Sequence, residues 1–264
     1  RETALQKTQW TGDGWLRLPD ANGDGLPQLM VPSPDIKEHP WPEQSTCHEF
    51  DTATLPPEFQ WLRTPEPETF LSLTDRPGYL RLRGKSSLGN WFEQALVARR
   101  QEAFCFSAET KLEFNPINFQ QCAGLVCYYN AQKYHYLYVS ADEQGRRFVD
   151  IVSCLADPSG QATYMLSVSR GDSASDDIGI EIPKSGAVWL RCDVRYAELV
   201  FSWSLDGEQW QKIPVTLDYT LISDEAGTGH ITGFTGAFVG MCCQDLSGAD
   251  LAADFDFFYY REEE

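Results

Sequence analysis

Apolar side chains recur at every second position through most of this chain, the spacing of strands with one face on a core and the other in water. Over residues 104–114 one face reads Phe104, Phe106, Ala108, Thr110, Leu112 and Phe114, against Ala103, Cys105, Ser107, Glu109, Lys111 and Glu113. The pattern returns as Val188, Leu190, Cys192, Val194 and Tyr196 against Trp189, Arg191, Asp193 and Arg195, and again as Leu199, Phe201, Trp203 and Leu205. An aromatic strand is expected over 134–139, another over 148–154 after the Gly145 turn, and a last one over 252–260, where Asp254 and Asp256 alternate with Phe255 and Phe257. Turn signals at Pro77-Gly78, Gly89-Asn90, Pro158 to Gly160, Gly171-Asp172, Asp206-Gly207 and Gly227 to Gly229 separate these runs. About a dozen short strands without intervening helices predict an all-β fold: two antiparallel sheets packed face to face as a jelly-roll-like β-sandwich over residues 46–264. No repeat of fixed period points to a propeller within the chain.

Residues 1–45 have a different texture. A stretch of about 30 residues is too small to bury a core of its own and must pack on something else. It runs into the proline-dense Val31-Pro32-Ser33-Pro34 and His39-Pro40-Trp41-Pro42. The chain opens on Arg1-Glu2-Thr3-Ala4-Leu5-Gln6 rather than Met, so residues 1–45 are expected to be the tail of one domain plus a linker to a second.

The 264 residues carry 39 acidic and 21 basic side chains, a formal net charge of −18, which repels nucleic acid and anionic membrane and leaves a neutral ligand such as a sugar unaffected. The eight cysteines include no Cys-x-x-Cys pair, and Cys242 and Cys243 are adjacent, so a zinc site is not indicated. Several lie inside strand patterns as small buried hydrophobes do, and free thiols in a reducing cytoplasm are expected. No apolar run approaches the length of a membrane span.

Candidate chemistry is sparse. His39, His48, His135 and His230 show no arrangement of a base held by a carboxylate and aimed at a hydroxyl. The acidic pairs Asp142-Glu143, Asp176-Asp177 and Asp224-Glu225 sit in turn contexts. Asp51 with Asp254 or Asp256 could meet across neighbouring strands and hold a structural calcium, although charges on a wet face account for the same residues, and no cofactor is assigned. Two aromatic loops are more suggestive, 115–121 and 229–240, because rings exposed beside glycine stack on sugar faces while buried rings fill a core. In the second, Gly229, Gly233, Gly236 and Gly240 permit a projecting backbone that could present Phe234 outward.

At these residues the chain resembles a known family. Arg1 to Lys7, Trp10 and Asp13-Gly14-Trp15 resemble the close of the five-bladed propeller of family 43 β-xylosidases and α-L-arabinofuranosidases, and the rest resembles their C-terminal concanavalin-like β-sandwich. The matching stretches are His48-Glu49-Phe50-Asp51, Phe59 to Arg63, Pro77 to Leu82, Ala98-Arg99-Arg100-Gln101, Phe119 to Leu125, Phe234-Thr235-Gly236-Ala237 and Asp254 to Phe258. The resemblance implies an inverting glycosidase whose general base, general acid and orienting aspartate all lie in the propeller, N-terminal to the segment matching Arg1, so this chain is expected to contain none of them. It implies that Arg1 reaches a sugar hydroxyl in the active-site pocket. It implies that Phe234 closes the pocket mouth, favouring short xylo-oligosaccharides or arabinosides cut from the non-reducing end. It also implies homo-oligomer contacts through the sandwich. A stand-alone carbohydrate-binding module, using the strand of Tyr134, Tyr136 and Tyr138, and a purely structural oligomerisation domain remain open alternatives.

Overall fold

The computed structural model describes residues 5–18, 25–40, 42, 45–156, 163–167, 179–226, 233 and 235–263. The chain divides into two compact units, Arg1–Gln44 and Ser45–Glu264. In the first, β1 (Gln9–Trp10) and β2 (Leu16–Arg17) form an antiparallel pair. Their turn is closed by the Thr11 backbone N–H and hydroxyl, which both donate to the Trp15 carbonyl at 2.9 Å.

The second unit holds two antiparallel sheets, as the alternating pattern requires. The first sheet runs, edge to edge, through β12 (Thr163–Ser167), β11 (Arg147–Ala156), β10 (Lys133–Ala141), β9 (Gln121–Asn130), β17 (Phe238–Asp245), β7 (Ala95–Arg100) and β4 (Phe59–Trp61), with β13 (Ile180–Glu181) also paired to β11. The second runs through β16 (Gln211–Asp218), β15 (Glu198–Ser204), β14 (Val188–Arg195), β8 (Cys105–Glu113), β18 (Ala252–Glu262), β6 (Leu80–Arg83) and β5 (Leu71–Ser72), with β3 (Cys47–His48) also paired to β18. Consecutive strands change sheet between β3 and β4, β4 and β5, β6 and β7, β7 and β8, β8 and β9, β13 and β14, β16 and β17, and β17 and β18, so the chain laces the two layers together. The sixteen described strands of this unit exceed the expected dozen because β3, β4, β5 and β13 are only two or three residues long.

The core lies between the layers. Phe106, Leu112, Leu190, Cys192, Phe201, Phe255 and Phe258 from the second sheet meet Leu125, Cys127, Leu137, Val139, Val149, Ile151, Val239 and Met241 from the first. Most come from alternate positions of their strands; β14 reads buried and half-buried in strict succession, Val188 to Arg195, whereas in β18 a register shift between Phe255 and Phe258 puts both rings in the core and leaves Phe257, expected to share a face with Phe255, half-buried. A second cluster of Leu88, Leu96, Ala98, Val126, Tyr128, Tyr134, Tyr136, Cys154 and Cys242 is buried separately from that core.

The alternation misleads at strand ends. Phe104 and Tyr196, expected on the core face, are exposed and stack on each other with ring centroids 6.5 Å apart. Tyr196 takes φ +52 in the tight turn between β14 and β15, which swings its side chain away from the core. Leu205, one residue beyond β15, is likewise exposed. All eight cysteines are unpaired. Burial pushes the thiols of Cys47, Cys122 and Cys154 up to about 11, so they behave as inert apolar groups rather than nucleophiles.

Candidate functional site

Arg1 and Phe234 lie outside the described residues, but both immediate neighbours of Phe234, Gly233 and Thr235, are described and rest on a built seat. Four strands of the first sheet bring that seat together. Register pairs Phe238 of β17 with Tyr128 of β9 on one side and with Arg100 of β7 on the other, while Lys133 of β10 pairs with Asn130 of β9. The ends of four neighbouring strands therefore converge beside Gly233 and residues 235–237.

On the C-terminal side of the loop, the Arg100 guanidinium donates to the Thr235 carbonyl and covers the Phe238 ring at 4.7 Å. The Gln101 N–H donates to the Ala237 carbonyl at 3.0 Å. Gly236 adopts φ +77, a left-handed turn that a side chain would strain. At Gly233 the constraint is space: a Cβ would sit 2.7 Å from the Tyr129 hydroxyl oxygen, so the backbone is pressed flat on that ring.

On the N-terminal side the anchor is a buried cation. Lys133, 2% exposed, donates through Nζ to the carbonyls of Ser223 (3.1 Å) and Ala226, with the ammonium 4.7 Å from the Tyr129 ring. Burial lowers its pKa, opposed by the negative charges of Asp224 and Glu225. Tyr129 in turn donates to the Asp224 carboxylate, and burial first, then that carboxylate, raise its own pKa. A buried charge needs such partners to be tolerated at all. The seat holds the chain at Ser223 and Ala226 and again at Thr235, and what it can do is positional rather than chemical.

The remaining candidates are occupied structurally. Asp254 is gripped by Arg81 through Nε (2.7 Å) and Nη2 (2.8 Å) and by Arg76 at 2.8 Å. Burial works against its charge, and the two guanidiniums outweigh it and lower its pKa. Asp256 pairs with Lys111, and Asp51 is exposed beside Gly78. Asp254 and Asp256 are thus each occupied by cationic side chains, and among the described residues no three His, Cys, Asp or Glu side chains gather as a metal centre would. His135 is buried, its Nδ1 2.7 Å from the Ser153 hydroxyl, and His48 packs edge-on against Phe59 with centroids 5.2 Å apart. His39 is exposed in the linker, and His230 lies outside the described residues. Tyr134 and Tyr136 are buried, so the tyrosine strand offers no open platform, whereas Phe119 and Ile117 of the 115–121 loop are exposed.

Sequence reasoning missed Arg100, Tyr129 and Lys133 as anchors. Arg100 stood inside a stretch quoted for the family resemblance, and a lysine opening an aromatic strand was the one available signal for Lys133.

Comparison with known proteins gives concordant results. Residues 47–261 match the family described as beta xylosidase C-terminal concanavalin A-like domain. The chain is 39% identical over 265 residues to a putative beta-xylosidase of Escherichia coli K12, covering 99% of this chain and 46% of that protein. It is 40% identical over 265 residues to xylosidase/arabinosidase 43B of Humicola insolens, with the same coverage of each. The crystal structure of xylan beta-1,4-xylosidase from Bacillus halodurans superimposes with a TM-score of 0.83 at 38% identity, over 97% of this chain and 46% of that one. The chain spans about half the length of the relatives it matches.

Proposed function

The chain belongs to the family of β-xylosidase C-terminal concanavalin A-like domains, and from that premise we propose that it is the accessory sandwich of a glycosidase acting on short xylo-oligosaccharides or arabinosides. In this reading the catalytic carboxylates reside in a propeller N-terminal to Arg1, residues 1–45 are that propeller's last portion plus a linker, Arg1 binds a sugar hydroxyl there, and Phe234 forms the wall that closes the pocket. The isolated chain is then a wall and a clamp without hydrolytic activity. Its relatives, xylosidases and arabinosidases by name, support the substrate class. Eight unpaired cysteines fit a reducing cytoplasm, and the sandwich is expected to contribute contacts to a homo-oligomer. Among the described residues no helix is long and apolar enough to cross a membrane.

The observation that carries the reading is the double anchorage of the loop: Arg100 grips Thr235 on one side and Lys133 grips Ser223 and Ala226 on the other. A surface loop with no task gains nothing from a buried ammonium and a glycine wedged against a tyrosine, while a wall that excludes water must stay fixed to within a fraction of an ångström.

The test is kinetic, in the protein that carries the propeller. Phe234→Ala should lower kcat/KM on xylobiose by about tenfold or more, ~1.4 kcal/mol of transition-state stabilisation. Arg100→Ala should act in the same direction and less strongly. Unchanged kinetics in both variants would leave the sandwich a structural domain only, and hydrolysis of an aryl xyloside by the isolated chain would contradict the reading outright.

A further inference from the structure

A second feature lies at the other end of β7. The segment from Arg63 to Phe70, with Lys85, Phe92 and Glu93, walls a cleft of about 700 Å³, within the range of small-ligand sites. Arg100 closes β7 at the loop seat and Glu93 precedes its start, so the two features are separated by a six-residue strand, about 20 Å.

The cleft combines rings with planar polar groups. Phe70 is its buried floor, and Phe92 stands on its wall 61% exposed, with the neighbouring Trp91 50% exposed. Arg63, Glu66, Lys85 and Glu93 contribute charges of both signs, so the lining does not select a strongly charged ligand. Arg63 is pre-set: its Nη1 donates to the Trp91 carbonyl at 3.1 Å, its guanidinium lies 5.3 Å from the Trp91 ring centroid, and it also hydrogen-bonds the Tyr128 hydroxyl.

Backbone strain concentrates at the same place. Five described non-glycine residues have positive φ, and two of them, Arg63 (+47) and Glu93 (+60), line the cleft. A third, Asp250 (+51), pairs at 2.9 Å with Lys85, another wall residue. Such conformations persist only where the surroundings over-determine them, and they cluster at ligand clamps.

We propose that this cleft is a binding site for a short neutral stretch of β-1,4-linked xylan. A xylopyranose ring is flat and carries no hydroxymethyl group, so its apolar face can lie on Phe92 while its equatorial hydroxyls meet the guanidinium of Arg63 and the carboxylates of Glu66 and Glu93. The choice of pentose rests on the substrate class proposed above; the site itself rests on the cleft. Such a site would hold a short xylo-oligosaccharide on the enzyme and raise its local concentration.

Calorimetric titration of the 264-residue chain with xylohexaose tests this. One saturable site per chain is expected, weakened by about tenfold in Phe92→Ala through loss of the stacking ring, and also weakened in Arg63→Ala. Both residues are exposed, and unchanged circular dichroism would verify that the variants fold. Phe234→Ala should bind as the parent does, so failure of the pocket-closing reading leaves this prediction intact. The proposal falls if no saturable binding occurs, if Phe92→Ala and Arg63→Ala bind as the parent does, or if only Phe234→Ala loses the sugar. Cellohexaose binding as tightly as xylohexaose would overturn the pentose assignment. A dimer that Phe92→Ala dissociates would assign the exposed rings to a self-interface instead.

Discussion

The imidazole of His135, buried in the middle of β10, ties stability to pH. Burial lowers its pKa to about 4, against contributions from the backbone carbonyl and charge of Asp218 that favour the proton. Unfolded, the same ring takes up its proton near 6.5. Between these values the unfolded chain binds more protons than the folded one, so the stabilisation is complete above pH 6.5 and is lost as pH falls towards 4. Urea unfolding at pH 7 and pH 4.5 should therefore differ by about 2 to 3 kcal/mol from this residue. His135→Gln, which keeps a hydrogen-bonding group beside Ser153, should flatten that difference. At this scale the sequence was partly legible: the alternation placed His135 in a strand among aromatics, but its burial on the inter-sheet face, beside Leu137 and Val139, came from the second sheet closing over it, where its Nε2 lies 3.3 Å from the Asp218 carbonyl of β16.

The strands owe their close packing to what they lack as much as to what they bury. Gly240 in β17 faces Ala98 of β7, and a Cβ there would lie 2.3 Å from the Val97 carbonyl oxygen and 2.5 Å from the Ala98 Cβ. Gly240→Ala should therefore destabilise the sandwich by about 1 to 3 kcal/mol, the ordinary cost of overpacking. Its urea midpoint should fall with an unchanged slope, and a midpoint equal to the parent's would show that β17 and β7 can part freely. Because β17 leads directly from the loop seat, part of the loss should appear as faster hydrogen exchange at residues 235–239. Gly240 read from sequence as a source of loop flexibility; the structure makes it a residue of close approach inside a strand. A glycine's pattern alone cannot separate these roles, since both require only the missing side chain. The strands themselves were easier to read, because a period of two is set by backbone geometry and the core then keeps only sequences that respect it.

For the whole molecule, the core cluster runs from Phe50 to Tyr260 and, among the described residues, includes none of the Arg1–Gln44 unit. A chain beginning at Ser45 should therefore fold by itself, with a thermal midpoint close to that of the 264-residue chain and a stability within about 0.5 kcal/mol of it, as independent sites allow. Scanning calorimetry of both forms checks this, and a large loss on removing residues 1–44 would mean that the first unit supports the second. It would also bear on the proposed division of labour, in which residues 1–45 belong with a propeller and the sandwich brings its own stability.

The sequence by itself determined the all-β class, the sheet-facing side of most strands, the absence of a charge balance suited to nucleic acid, and a family resemblance that comparison bears out over residues 47–261. Those properties are written in local periodicity, composition and short motifs, which survive when each stretch is read alone. Only the tertiary structure decided that Arg100, Tyr129 and Lys133 form one seat, that Asp254 belongs to Arg76 and Arg81 rather than to an ion, and that Arg63, Phe92 and Glu93 share a cleft. Each of those groupings joins residues tens of positions apart along the chain, and which strand neighbours which is fixed by how two twisted sheets close over a common core, a condition that no single segment carries.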